Sequence, residues 1–207
     1  MKPYAITINR GFGSRGKMLG KALAEELGID FYDRELLRLA SDESGISETL
    51  FAQADEKLQG TRLFKSARKV YTGELIPPDK DDFISNENLF NYQAKVLKDL
   101  LKDSSYVVMG RCADFVLKDE PNVVRIFVHA PKENCLETLR EIYHQPDKKL
   151  EKMMQDKDKR RAAYYEYFTG RRWDDASNYD LCLNAAELTL EEAIYVVKAF
   201  LKIKIKL

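Results

Sequence analysis

The chain is poor in the residues that build disulfide and zinc frameworks. Its 207 residues include three cysteines, Cys112, Cys135 and Cys182, and two histidines, His129 and His144. The cysteines are far apart and odd in number, and no Cys/His ligand spacing occurs, so neither a disulfide scaffold nor a structural zinc site is expected. Net charge is also missing: Lys plus Arg and Asp plus Glu both total 34. No overall field draws the chain to nucleic acid or to an anionic membrane. No apolar run is long enough to span a bilayer, and Met1-Lys2-Pro3-Tyr4 leads straight into a strand-like segment rather than a signal peptide. A cytoplasmic location, with no nucleic-acid or membrane partner, is the expectation. The basic residues that cluster, from Lys157 to Arg161 and at Arg171-Arg172, suit a small anionic ligand better than a long polyanion.

What is present is enough for one α/β domain with a large core, at 44% hydrophobic and 33% charged residues. The most informative stretch starts at an apolar run, Tyr4 to Ile8, and continues through Gly11-Phe12-Gly13-Ser14-Arg15-Gly16-Lys17 into a helical pattern at Leu19, Leu23 and Leu27. Strand, glycine-rich loop and helix form the layout of a phosphate cradle, and Gly11 to Gly16-Lys17 fits G-x-x-x-x-G-K. Glycines let backbone N–H groups close around phosphate oxygens, and the helix N-terminus adds partial positive charge. Lys17 can reach the β- and γ-phosphates. Met18 stands where a Ser or Thr would ligate Mg²⁺, and a glycine-rich turn without ligand is the plainer reading of the same residues.

Further along, Ile29–Asp33 reads as a short strand. Asp33 is then either the N-cap of a helix from Leu36 or a polar contact at a strand's carboxyl end, where ligands sit in open α/β sheets. Between Ser41 and Ser104 the pattern is mainly helical, with an irregular stretch from Gly60 to Ile84 and an amphipathic helix over Asn86–Lys102. Ser105–Gly110 is a continuous apolar run, as a strand buried on both faces requires. Arg111 follows it, placed either to grip phosphate or to pair with a carboxylate. Val123–Ala130 and Asp180–Asn184 are the last strands. Helices are expected over Lys132–Tyr143, Leu150–Phe168 and Leu190–Leu201, with Lys202–Leu207 either fraying helix or edge strand. Lys157 and Arg161 are four apart and share a helix face, which by itself reads equally as a solvated surface. Apolar runs alternating with helices predict a parallel sheet covered on both faces.

With these residues in view, the chain resembles the P-loop nucleotide kinases, and specifically the cytidylate kinase-like family. The resemblance is carried by Ile6–Gly16, Phe31–Leu36, Val107–Asp114, Asp158–Tyr165, Thr169-Gly170 and Ser177–Leu181. It implies a single P-loop kinase-like domain over residues 1–207 with a three-layer α/β/α fold and a five-stranded parallel sheet of order 2-3-1-4-5. It also implies an acceptor-binding helical insert at residues 34–104 and a lid at residues 145–175. By the same resemblance Lys17 is the phosphate-loop lysine, Lys157, Asp158 and Arg161 form a lid element, and Arg111 grips the acceptor's phosphate. Asp33, Asp114 and Asp180 are then acceptor contacts. Cys112 stands where cytidylate kinases have an acid, the nearest being Asp114.

The activity implied is ATP-dependent phosphoryl transfer to a nucleoside monophosphate, CMP or dCMP foremost. Lys17, Arg111, Lys157 and Arg161 would be its catalytic cations, with Mg²⁺ bridging ATP oxygens largely through water and no protein metal site. Two other readings stay open. A kinase for a different small acceptor would benefit from a general base, for which Asp33 or Asp114 could serve. A non-catalytic nucleotide-binding regulator would bind ATP without releasing ADP. The apolar residues of the insert can pack on their own sheet or on a second copy in a homodimer.

Overall fold

A computed structural model describes residues 2–58 and 70–206, and its centre is a five-stranded sheet. The strands are β1 (Ala5–Arg10), β2 (Asp30–Tyr32), β3 (Tyr106–Met109), β4 (Val123–His129) and β5 (Leu181–Asn184). Their order is β2-β3-β1-β4-β5, and every neighbouring pair is parallel. This is the implied order. Parallel neighbours need crossover connections, which the helices provide. Ala5 of β1 sits opposite Tyr106 of β3 and Val123 of β4, so the three central strands start level and their carboxyl ends open on one edge.

The helices are α1 (Gly16–Leu27), α2 (Glu35–Ser44), α3 (Glu48–Leu58), α4 (Asn86–Asp103), α5 (Ala113–Val116), α6 (Lys132–Tyr143), α7 (Asp147–Thr169) and α8 (Leu190–Ile205). The two-residue period of the strands divides them between two layers. Ala5, Tyr106, Val108, Val123 and Phe127 pack with α2, α3, α4, α5 and the end of α7. Ile6, Ile8, Val107, Met109, Val124, Ile126 and Val128 pack with α1 and α8. Each such fully buried aliphatic side chain contributes about 1.5–3 kcal/mol of transfer free energy. A third, small cluster joins Leu136 and Leu139 of α6 to Leu150 of α7, with Phe12 against it. The glycine-rich loop is thus tied to the α6–α7 pair.

Several boundaries follow from caps. α1 stops at Gly28, whose left-handed backbone (φ 64) lets its N–H donate to Ala24 and Glu25 carbonyls. α7 starts at Asp147 rather than Leu150, because Pro146 supplies an extended N-cap. α8 opens on a Thr189/Glu192 capping box and runs to Ile205, so Lys202–Ile205 is helix and not an edge strand. Of the stretch expected to be irregular, residues 59–69 lie outside the described residues, 70–80 carry no helix or strand, and Asp81–Ile84 form a 3₁₀ turn. Among the described residues no helix is long and apolar enough to cross a membrane.

Candidate active site

The loop between β1 and α1 is pinned from within. Gly11 N–H donates to Val128 O at 3.0 Å. The Ser14 hydroxyl, itself buried, lies 2.9 Å from Gly11 O and 3.1 Å from Val128 O. Ser14 therefore shapes the loop with its side chain turned away from the cleft. Gly13 has φ +91, and a Cβ there would come within 2.7 Å of the Cys135 carbonyl, so only glycine fits. Arg15, in left-handed conformation, directs Nε to Thr138 Oγ1 at 3.2 Å, along α6. α1 then begins at Gly16, with its N-terminus at the loop.

Two more strand exits face this loop. Asp33 follows β2. Gly110, Arg111 and Cys112 follow β3 with φ of 66, 59 and 52, three consecutive left-handed residues. Two of these are not glycine, at a cost of about 1 kcal/mol or more each, which marks a conformation enforced by its surroundings. A Cβ at Gly110 would meet Arg10 Nη1 at 2.7 Å, so a side chain there would displace the end of Arg10. The result is a cleft of about 480 Å³ at the carboxyl ends of the central strands. Its polar lining comes from Arg10, Lys17, Asp33, Arg34, Arg111, Lys157, Arg160 and Arg161, and its apolar lining includes Phe12, Tyr143, Tyr164 and Trp173.

Some of the cations at the cleft are paired. Lys17 Nζ donates to Asp33 Oδ2 at 2.7 Å, and Arg10 Nη2 lies 3.9 Å from Asp33 Oδ1. Burial pushes the Asp33 carboxyl up, but the Lys17 hydrogen bond and the charges of Arg10 and Arg111 outweigh it and hold the group below the usual range. Arg161 Nη1 donates to Asp158 Oδ1 and to Arg10 O, both at 3.0 Å, and its guanidinium lies 5.5 Å from the Phe12 ring centre. Asp158 in turn accepts from the Phe12 N–H, at 2.9 and 3.1 Å to its two oxygens. Burial, with Arg161 close by, brings Arg10 down to about 10.

Lys17, Asp33, Arg111, Lys157 and Arg161 all line this one cleft. The alternative in which Asp33 caps α2 does not hold: Arg34 is the N-cap, without a side-chain cap bond, and the Asp33 carboxylate is engaged by Lys17 instead. On α7, Lys157, Arg160, Arg161 and Tyr164 present one side to the cleft, with Lys157 and Arg160 exposed.

Two expected acceptor contacts are misplaced. Asp114 is buried at 2% exposure behind the β3 turn, accepting from Asn9 Nδ2 at 2.8 Å and from the Tyr165 hydroxyl at 2.6 Å. Burial raises its pKa, with those two hydrogen bonds opposing the rise. It braces β1 against α7 and does not line the cleft. Asp180 precedes β5 and therefore stands at the amino end of a parallel strand, where it accepts from Arg125 Nη2 at 2.8 Å and from Lys204. Its carboxylate is held by these structural partners, and it does not line the cleft.

Sequence reasoning missed Arg10 and Arg34, and took Arg160 only as part of a basic cluster. Arg160 carried a usable signal, since it lies three residues from Lys157 on the same helical turn. Arg10 carried little, because a residue at a strand end gives no periodicity to show which way it turns. A second hollow, about 300 Å³, lies beside the loop on the α1–α6–α8 side, lined by Arg15, Met18, Leu19, Val128, Ile142, Leu183 and Leu188.

A parallel sheet of this order with a phosphate-loop motif at the exit of β1 defines a P-loop kinase fold. The cytidylate kinase-like family matches the chain over residues 5–187, and the chain belongs to that family. It is a nucleotide-dependent kinase. Among solved structures, an uncharacterized protein from Eubacterium ventriosum ATCC 27560 superposes with TM-score 0.70 at 23% identity, covering 96% of this chain and 98% of that one. Shikimate kinase from Bacteroides thetaiotaomicron superposes with TM-score 0.52 at 13% identity, covering 96% and 98%. A gluconokinase from Sinorhizobium meliloti 1021 superposes with TM-score 0.50 at 15% identity, covering 97% and 92%. At these identities the likeness is one of fold. No curated protein matches the chain.

Proposed function

We propose that this kinase transfers the γ-phosphoryl group of ATP to the phosphate of a nucleoside monophosphate, with CMP and dCMP the first acceptors to test. The observation that carries this reading is the convergence of seven cations, Arg10, Lys17, Arg34, Arg111, Lys157, Arg160 and Arg161, on a cleft lined by one carboxylate, Asp33. A donor triphosphate and an acceptor phosphate together supply the anions such a cleft would bind. A hydroxyl at the reacting end of the acceptor would bring no charge there and would need a base. Asp33, held below the usual carboxylate range by Lys17 and Arg10, is a weak base. An acceptor phosphate is already an anion and needs none.

The apolar hollow beside the loop is suited to the donor's base. Met18, 51% exposed, lies on its wall, which gives this residue a role other than metal ligation. The triphosphate would then cross the loop, with its terminal phosphate entering the cationic cleft. There Lys17 and the loop amides hold the donor, Arg111 holds the acceptor, and Lys157 and Arg161 of α7 act as the lid element. Transfer asks for alignment and for positive charge opposite the equatorial oxygens of the moving group, and these residues provide both. The insert at 34–104 and the lid at 145–175 are proposed as the acceptor-side and donor-side covers of this cleft.

Mg²⁺ fits as a nucleotide-borne ion. No cluster of three or more His, Cys, Asp or Glu exists among the described residues, and Met18 offers no oxygen. Asp33 is the carboxylate that lines the cleft and would hold part of its water shell. When bound, the ion neutralises charge on the bridging phosphate oxygens.

The test is ADP release from ATP·Mg²⁺ across a panel of ribo- and deoxynucleoside monophosphates, with shikimate and gluconate as hydroxyl acceptors. Turnover that depends on a pyrimidine monophosphate supports the reading. Turnover only with a hydroxyl acceptor, or nucleotide binding without any ADP, refutes it.

A further inference from the structure

We propose that the Asp158 carboxylate occupies, in the nucleotide-free enzyme, the seat of the donor's terminal phosphate, so that nucleotide enters by displacing it. This rests on the ATP-dependent reading above and assigns a regulation to the same site.

The carboxylate has the partners of a phosphate oxygen. On one side both its oxygens receive the Phe12 N–H of the glycine-rich loop, at 2.9 and 3.1 Å. On the other, Arg161 Nη1 donates to Oδ1 at 3.0 Å. It also lies against the first glycine of the motif, 3.9 Å from where a Gly11 Cβ would be. Loop amide, glycine and guanidinium around one anion form an occupied phosphate seat, filled from the protein's own α7.

The surroundings of the seat also suit a stronger anion. Arg161 Nη1 donates to Arg10 O at 3.0 Å, and the partly buried Arg10 side chain lines the same cleft as Arg161 and Arg111. A terminal phosphate carries more charge than a carboxylate and can take the amide and both guanidiniums at once. It cannot share the seat with Asp158, because two anions at contact distance repel. Binding therefore requires Asp158 to leave Phe12 and release Arg161 to the phosphate. The contact lowers the affinity of the free enzyme and couples phosphate entry to movement on α7.

Calorimetric titration of the full chain with ATP and with inorganic tripolyphosphate tests this, in the wild type, Asp158→Asn, Asp158→Ala and Lys17→Ala. Both Asp158 variants are expected to bind both ligands about tenfold more tightly, about 1.4 kcal/mol. The equal effect on tripolyphosphate locates the competition at the phosphate rather than the base. In the free enzyme the Phe12 amide is expected to exchange slowly in the wild type, faster in Asp158→Ala, and slowly again once ATP is bound. An unchanged or weaker Kd in both Asp158 variants, with Lys17→Ala still weakening binding, overturns the proposal and leaves the nucleotide reading intact. If the wild type binds neither ligand, both readings fall.

Discussion

Lys17 and Asp33 form a 2.7 Å ion pair between the first turn of α1 and the exit of β2, with the Lys17 side chain 57% exposed and Asp33 20%. The ammonium is thus held at the mouth of the cleft, on a partner that a phosphate can replace. Lys17→Ala is expected to lower kcat/KM by about 10²–10³, the range for loss of one donor to a developing charge. An exposed pair of this kind contributes at most about 1 kcal/mol to folding, so the melting temperature should move by only a few degrees. Steady-state kinetics beside thermal unfolding separate the two. Loss of folding in proportion to loss of rate would return Lys17 to a structural role.

The same pair makes a prediction about pH. Lys17, Arg10 and Arg111 together outweigh burial and keep the Asp33 carboxyl below its usual range. Its charge is therefore present throughout the neutral region and is lost only as pH falls below the ordinary carboxylate value. If the acceptor is a phosphate, log kcat against pH should show no step from Asp33 above about pH 5, given an unperturbed Asp near 3.9. A base-limited step between pH 5 and 8 that disappears in Asp33→Asn would favour a hydroxyl acceptor.

How much of this was legible in the sequence depended on whether the signal was local. Apolar strand runs, the Gly11–Lys17 spacing and the Gly28 cap are short-range features, and each formed where expected. The partner of Asp33 is 16 residues away, across a helix and a strand, so a cap and an ion pair could not be told apart from the residues around it. The left-handed turn at Gly110-Arg111-Cys112 was equally hidden, because Arg and Cys carry no preference for positive φ. Asp180 was legible but overridden by family likeness. It precedes its strand, and in a parallel sheet that places it at the amino end, away from ligands.

Asp114 shows the opposite case, a residue expected at the acceptor that the fold uses as a brace. It accepts from Asn9 on β1 and Tyr165 on α7, and it is buried at 2%. Asp114→Ala leaves both donors without an acceptor, for a loss of about 3 kcal/mol, whereas Tyr165→Phe removes one donor and should lose about 1–2 kcal/mol. For a chain of this size the first change corresponds to roughly 6–12 °C in melting temperature. Below the transition, Asp114→Ala should keep the wild-type KM for the acceptor. A raised acceptor KM with unchanged stability would restore the direct contact.

Asp180 offers the clearest pH test of a position outside the cleft. Burial would raise its pKa, but Arg125 through both side chain and backbone N–H, together with Lys204, brings it down to about 2. The unfolded value is near 3.9, so the folded state holds the proton less tightly. The stabilisation is therefore complete above the unfolded value and disappears as pH falls through the folded one. Its size is about 2–3 kcal/mol, at 1.4 kcal/mol per unit. Asp180→Asn should accordingly unfold at lower urea than the wild type at pH 7, and the gap should narrow between about pH 4 and pH 2. Its turnover at pH 7 and 25 °C should be that of the wild type, because neither Asp180 nor Arg125 lines the cleft. A variant with wild-type stability and a raised acceptor KM would place Asp180 at the acceptor and refute the structural assignment.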